Sequence, residues 1–154
     1  MLQSSAVKPA REVLDIPVVG VAEASMHFVA RLGERFSVVT VLPNISPTIR
    51  NNAAQYGIDE KLASVRNVNI TVLALRDKKK LVKTLRREML AAIKEDDAHV
   101  LVLGCTGMMG VAKEVEKQLR RDGYDVPVID PVAASLKFFL KTSRTLQGNH
   151  SNIQ

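Results

Sequence analysis

Short apolar, β-branched runs alternate along this chain with longer segments in which apolar residues recur every three or four positions. That rhythm predicts strands separated by amphipathic helices. Pro9 to Leu14 reads as a short helix with proline in its first turn. Ile16-Pro17-Val18-Val19-Gly20-Val21 has the continuous apolar character of a strand buried on both faces, and Ala22-Glu23 open a helix to Leu32 that Gly33 stops. Arg35 to Leu42 is a second strand. The turn Pro43-Asn44-Ile45-Ser46-Pro47 comes next, with Ser46 as N-cap and Pro47 as the first residue of a helix that reaches Tyr56 and ends at Gly57. Ile58 to Ser64 reads as a short helical connection, and Val65 to Leu73 alternates like an outer strand.

Beyond Asp77, Leu81, Leu85, Met89 and Ile93 fall at intervals of four, with Lys79, Lys80, Lys83, Arg86 and Arg87 on the other faces. This is an amphipathic helix that covers a sheet. His99 to Leu103 is the central strand, succeeded by a helix from Met109 to Arg121, a turn at Asp122-Gly123, a strand over Val126 to Ile129 and a helix from Pro131 to Lys141. Strands and helices thus alternate five times. The fold class expected is α/β, a parallel sheet with helices on both faces, forming one domain over 1–141 with a polar, disordered tail at 142–154.

Composition agrees with one globular domain, since 46% of the 154 residues are hydrophobic and 25% charged. No apolar run approaches the ~18 residues that cross a bilayer, and the first six residues lack the basic start and apolar stretch of a secretory signal. A cytoplasmic protein without a membrane partner is expected. A single cysteine forms no internal disulfide, and no Cys/His spacing resembles a zinc site, so no metal is expected. The net charge of +6 invites a nucleic-acid reading, but only 4% of residues are aromatic and none is tryptophan. The basic residues of Arg76 to Arg87 and Lys113 to Arg121 fall on helices whose other face is apolar. They read as solvated faces, with no nucleic-acid partner.

The candidate chemistry lies at Val100 to Gly110, where an apolar run reaches Cys105 and breaks into a turn flanked by Gly104 and Gly107. A strand leading through a tight turn into a helix is where open α/β sheets bind ligands. A helix amino terminus lowers a thiol's pKa, while the Thr106 hydroxyl and nearby N–H groups can hold a carboxylate or an enolate oxygen. The same placement suits a small buried hydrophobe ending a strand, so spacing alone leaves both roles open for Cys105. Strand ends would gather Thr40, Pro43, Cys105, Thr106 and Asp130 at one edge. Glu23 reads as a first-turn carboxylate and Asp130 as an N-cap before Pro131, while His27, His99 and His150 are given no catalytic role.

Gly104-Cys105-Thr106-Gly107-Met108, with Pro17 to Ala24 upstream and Pro127-Val128-Ile129-Asp130-Pro131 downstream, resembles the aspartate/glutamate/hydantoin racemase superfamily. Gly107, where amino-acid racemases carry an acidic residue or histidine, points to the hydantoin racemase branch. The resemblance spans Val7 to Lys141 and matches the second lobe and closing helix of a two-lobed fold. It implies cofactor-independent proton transfer beside a carbonyl, with Cys105 as one of two opposed thiols and Thr40, Gly104, Thr106 and Gly107 binding substrate. Val41 stands where relatives often carry another hydroxyl residue. The first lobe and its cysteine have no counterpart here. The implied partners are a hydantoin or amino acid derivative and further copies of the chain, as a homo-oligomer. Two alternatives also fit: an arylmalonate decarboxylase-like enzyme, which uses one cysteine, and a truncated, non-catalytic lobe that acts only in an oligomer.

Overall fold

The computed structural model describes residues 6–71 and 75–137. In chain order these form α1 (Val7–Val13), α2 (Val21–Val29), β1 (Phe36–Thr40), α3 (Ser46–Gln55), β2 (Leu62–Asn67), α4 (Lys78–Asp96), β3 (Val100–Leu103), α5 (Ala112–Arg121), β4 (Val128–Ile129) and α6 (131–137). The four strands make one parallel sheet in the order β2-β1-β3-β4. Alternation along β1 and β3 divides the core into two layers. Phe36, Val38, Val100 and Val102 face Met26, Val29 and Ile49 of α2 and α3, whereas Val39, Leu101 and Leu103 face Leu81, Leu85 and Met89 of α4 and Val115 and Leu119 of α5. Each of these side chains is essentially out of solvent, and each such burial contributes about 1.5–3 kcal/mol.

The expected α/β class and parallel sheet are present, with four strands among the described residues in place of the five expected. Ile16 to Val21 is extended but pairs with no strand among the described residues. Pro17 has no N–H to give a ladder, the Val18 carbonyl is taken by Arg11 Nε at 2.8 Å, and Ile16 is 66% exposed. Apolar character there marks a surface, not a core strand. The outer strand begins earlier than expected, at Leu62, after a 3₁₀ turn over Asp59–Lys61. Its last backbone bonds, Val68 N to the Thr40 carbonyl and Asn69 N to the Val41 carbonyl, are both 2.9 Å, and Asn69 then turns the chain away at φ 48°. Residues 72–74, the last four expected for the final helix and the tail at 142–154 with His150 lie outside the described residues.

Asp77, just before α4, caps it by accepting Lys80 N–H at 3.0 Å. Other boundary signals match expectation: Asp130 caps α6 by accepting Val132 N–H at 3.0 Å. Gly57 and Gly123 close their helices at φ +69° and +91°. Ser46 differs. A 3₁₀ turn over Pro43–Ile45 runs straight into α3, so Ser46 is already helical and makes no capping bond.

The edge strand β2 is fastened to the end of α4 by Arg66, which donates through Nε to Asp96 Oδ2 at 2.5 Å and through Nη2 to Glu95 Oε2 at 2.6 Å. The hydrogen bond from Arg66 holds the Asp96 carboxyl below its usual 3.8. A carboxyl depressed in the fold adds stability above its unfolded pKa and loses it as pH falls through the folded value. Thermal unfolding should therefore give a flat Tm above about pH 5 and a decline below about pH 4. Asp96→Asn should lower Tm at neutral pH and flatten that decline. Superimposable acid limbs in the two proteins would show that the pair adds nothing.

Candidate active site at the carboxyl edge

The chain leaves β1 toward β2 on one side and returns to β3 on the other, so the order of the strands reverses between β1 and β3. Open α/β sheets bind ligands at that point, outside the carboxyl ends of the strands. Thr40 ends β1 there, and Gly104-Cys105 come directly after β3. Gly104 is what lets the two ends meet. A Cβ at Gly104 would lie 2.8 Å from Thr40 Cβ, 3.0 Å from Val38 Cγ1 and 3.1 Å from Thr40 Cα, while its N–H donates to the Val39 carbonyl at 2.8 Å.

Cys105 is extended at φ −143°, half-buried, and packs against the α4/α5 layer that also takes Leu42. It carries a free thiol. Thr106–Met108 then form a 3₁₀ turn closed by Met108 N–H to the Cys105 carbonyl at 3.0 Å. Thr106 and Gly107 are exposed at the edge, whereas Met108 is wholly buried and pins the turn to the core. A Cβ on Gly107 would come within 2.8 Å of Leu75 Cδ1 and 3.6 Å of Cys105 Sγ, so glycine keeps space beside the sulfur. The long helix expected at Met109 begins three residues later, at Ala112. Gly110, at φ +80°, spends those residues on a reversal of direction that an L side chain rarely makes. Cys105 therefore sits at the head of a single 3₁₀ turn and not at the amino end of α5.

Thr40 and Cys105 reach the same edge on opposite faces. The pleat that sends Val39 and Leu103 toward α4 and α5 sends Thr40 and Gly104 toward α2 and α3. The Thr40 side chain is fully buried, and its Oγ1 has no partner among the described residues. Pro43 is exposed in the turn that leads to α3. Asp130 stands at the same edge and its Oδ2 accepts Gly110 N–H at 3.4 Å, tying the α6 cap to the turn after Cys105. The sequence gives no sign of this bond, because Gly110 reads as helical. Glu23 is paired with Arg11 at 2.7 Å, exposed His27 lies 5.9 Å from the Tyr56 ring, and His99 lies 3.5 Å from Asp97. Each of the three has a neighbour within the chain. Among the described residues no group of three His, Cys, Asp or Glu side chains is placed to hold a metal, and no helix is long and apolar enough to cross a membrane.

A parallel α/β sheet presenting a thiol and a glycine-flanked turn at its strand reversal defines the class of site. Comparison with known proteins makes it specific. Residues 4–138 match the family described as Asp/Glu/Hydantoin racemase. A hydantoin racemase of Pseudomonas sp. (strain NS671) is 42% identical over 130 residues, which is 84% of this chain and 50% of that protein. One from Paenarthrobacter aurescens is 38% identical over 128 residues, covering 82% and 52% of the two chains. The crystal structure of an allantoin racemase from Pseudomonas fluorescens superposes with a TM-score of 0.80 at 34% identity, covering 90% of this chain and 57% of that one. The chain belongs to the Asp/Glu/hydantoin racemase family, in its hydantoin racemase branch. It spans about half the length of the curated relatives it matches.

Two substitutions test the packing at the switch point. Gly104→Ala forces a methyl against main-chain and Cβ atoms that cannot swing away, and should cost about 1–3 kcal/mol in chemical denaturation. Thr40→Val removes a buried hydroxyl that has no partner while keeping the shape. It should be neutral or raise Tm by a few degrees, because such a group carries an uncompensated desolvation cost of about 1–3 kcal/mol. A drop of several degrees would mean that the hydroxyl is bonded in the folded protein.

Proposed function

We propose that this chain carries a proton-transfer site of a cofactor-independent, cytoplasmic hydantoin racemase-type isomerase, acting on a 5-substituted hydantoin or a similar amino acid derivative. The observation that carries this reading is the free, half-exposed thiol of Cys105 at the strand reversal, in a chain whose relatives include hydantoin racemases. As thiolate, the sulfur removes the proton from the carbon beside the carbonyl. The C–H bond breaks, an S–H bond forms, and the electron pair moves onto the carbonyl oxygen as an enolate. In this reading Thr106 and Gly107, both exposed beside the sulfur, hold that oxygen. Return of a proton to the opposite face of the planar carbon, from an opposed thiol, completes the inversion.

A second reading rests on the single cysteine of the sequence. Loss of carbon dioxide from an arylmalonate generates the same kind of carbanion without a base, and one thiol then protonates it. The two readings give different products. In deuterium oxide, a chiral 5-substituted hydantoin should exchange its carbon-bound proton, monitored by NMR, and lose optical rotation. Cys105→Ala should reduce both by at least ~10²-fold. Release of carbon dioxide from an arylmalonate with no exchange in the hydantoin would favour decarboxylation, and neither reaction from a folded sample would sink the enzyme reading.

A further inference from the structure

Positive charge gathers at one corner of the carboxyl edge, and the Cys105 turn stands beside it. Helix α4 begins at this edge because it runs back antiparallel to the strands, and its first turn is Lys78-Lys79-Lys80 with no acidic residue in it. Arg76 comes just before the helix and Lys83 one turn into it. All of these residues are exposed, and none of them forms an ion pair among the described residues. The carboxylates at this corner are those of Asp77, which caps α4, and Glu114, which accepts Gln118 Nε2 at 3.0 Å. Glu114 and Gln118 line a depression of about 300 Å³ with Lys78, Lys79 and Val82. Asp130, at the same edge, gives its oxygens to Gly110 and the start of α6. The lysines oppose local preference. Cations in the first turn of a helix meet the positive end of its dipole, and Lys79, Lys83 and Arg87 stack like charges at intervals of four. Only Arg87 of these three has a carboxylate partner, Glu88, at 2.9 Å. Conflict of this kind with local rules concentrates at functional sites.

The fold ties this corner to the sulfur. Leu75 is buried, and a Cβ on Gly107 would lie 2.8 Å from Leu75 Cδ1 and 3.6 Å from Cys105 Sγ, so the leucine methyl and the sulfur border the same small gap. Consecutive Cα atoms are about 3.8 Å apart, so Arg76 starts one such step from Leu75 and Lys78 lies no more than about 11 Å from it. These spans compare with a Debye length of about 8–10 Å in ordinary buffers, so salt screens the cations only partly at the thiol. We propose that Arg76, Lys78, Lys79, Lys80 and Lys83 form a cationic rim that draws an anion to Cys105, and that the preferred substrate is a hydantoin whose 5-substituent carries a carboxylate. The substrate assignment rests on the racemase reading, whereas the rim does not. An edge of one charge sign raises the local concentration of an oppositely charged reactant and speeds its arrival, and added salt removes the effect. Asp77 and Glu114 interrupt the rim, which suits one small anion more than a continuous phosphate backbone.

Alkylation of Cys105 reads the field at the sulfur without any turnover. Iodoacetate and iodoacetamide both lose iodide to the thiolate as a sulfur–carbon bond forms, so the ratio of their rates cancels the thiolate fraction and leaves the effect of the reagent's charge. Raising sodium chloride from about 20 mM to about 500 mM should lower the iodoacetate-to-iodoacetamide ratio by ~3–10-fold. A free small thiol should show the opposite trend, because its thiolate repels iodoacetate and salt relieves that repulsion. Combining Lys78→Gln, Lys79→Gln and Lys80→Gln should lower the ratio at low salt by a similar factor. The circular dichroism should match the parent, since the three side chains are exposed and their loss relieves like charge at the helix start. A parent ratio that rises with salt, or an equal ratio in parent and triple variant, overturns the rim. In racemisation, kcat/KM for 5-(carboxymethyl)hydantoin should exceed that for its uncharged carbamoylmethyl counterpart and fall with salt, and the triple variant should lose this preference through KM. Equal, salt-independent kcat/KM for the two compounds overturns the substrate assignment while the racemase reading stands. A salt-sensitive alkylation ratio with neither compound racemised keeps the rim and sinks the racemase reading, and the substrate assignment with it.

Discussion

The main chain at Gly104 lies so close to Thr40 that no side chain fits between them, and the geometry of the site depends on that contact. Thr40 is held from both sides. Its carbonyl accepts Val68 N–H from the β2 side, while Gly104 N–H reaches the carbonyl of its neighbour Val39 from the β3 side. With the ends of β1 and β3 clamped together at the strand reversal, the pleat decides the rest. Gly104 points at the α2/α3 layer, so the next residue must point at the α4/α5 layer, and Cys105 is carried to the edge with its sulfur beside the gap at Gly107. The same clamp traps the Thr40 hydroxyl with nothing to bond among the described residues. One missing Cβ thus sets both the aim of the thiol and the unmet hydrogen bond behind it.

The turn after Cys105 is fixed at both ends. Met108 is sunk in the core, and Gly110 reverses the chain so that Asp130, capping α6, can reach its N–H. These contacts tie three strand ends into one rim. They also decide which dipoles the sulfur meets. A ten-residue α-helix starting at the cysteine would aim a summed dipole at it, but a single 3₁₀ turn supplies only a few local amides.

The alternation of apolar runs with helical periodicity made the α/β class, the parallel sheet, the α4 cover helix and the Asp130 cap legible, because each depends on local spacing. The position of Cys105 at a strand end was legible for the same reason. The errors share a physical origin in contacts distant along the chain. Ile16 to Val21 carries the composition of a buried strand, and nothing local reveals that Arg11 takes its carbonyl or that no strand lies beside it. The helix expected at Met109 gave way to a turn because burying Met108 and reaching Asp130 outweigh helical propensity across Gly110. Thr40 was placed at the correct edge, but the face on which it lies depends on the pleat through Gly104, and its lack of a partner depends on three-dimensional packing.

The strand-like composition of Ile16 to Val21 and its exposure are one fact seen twice. An apolar, β-branched segment that finds no strand among the described residues keeps its burial unrealised, and α1 before it buries none of its residues against them. A single isolated Leu or Val at a surface is ordinary, whereas Val13, Leu14, Ile16 and Val21 are exposed together along one short stretch.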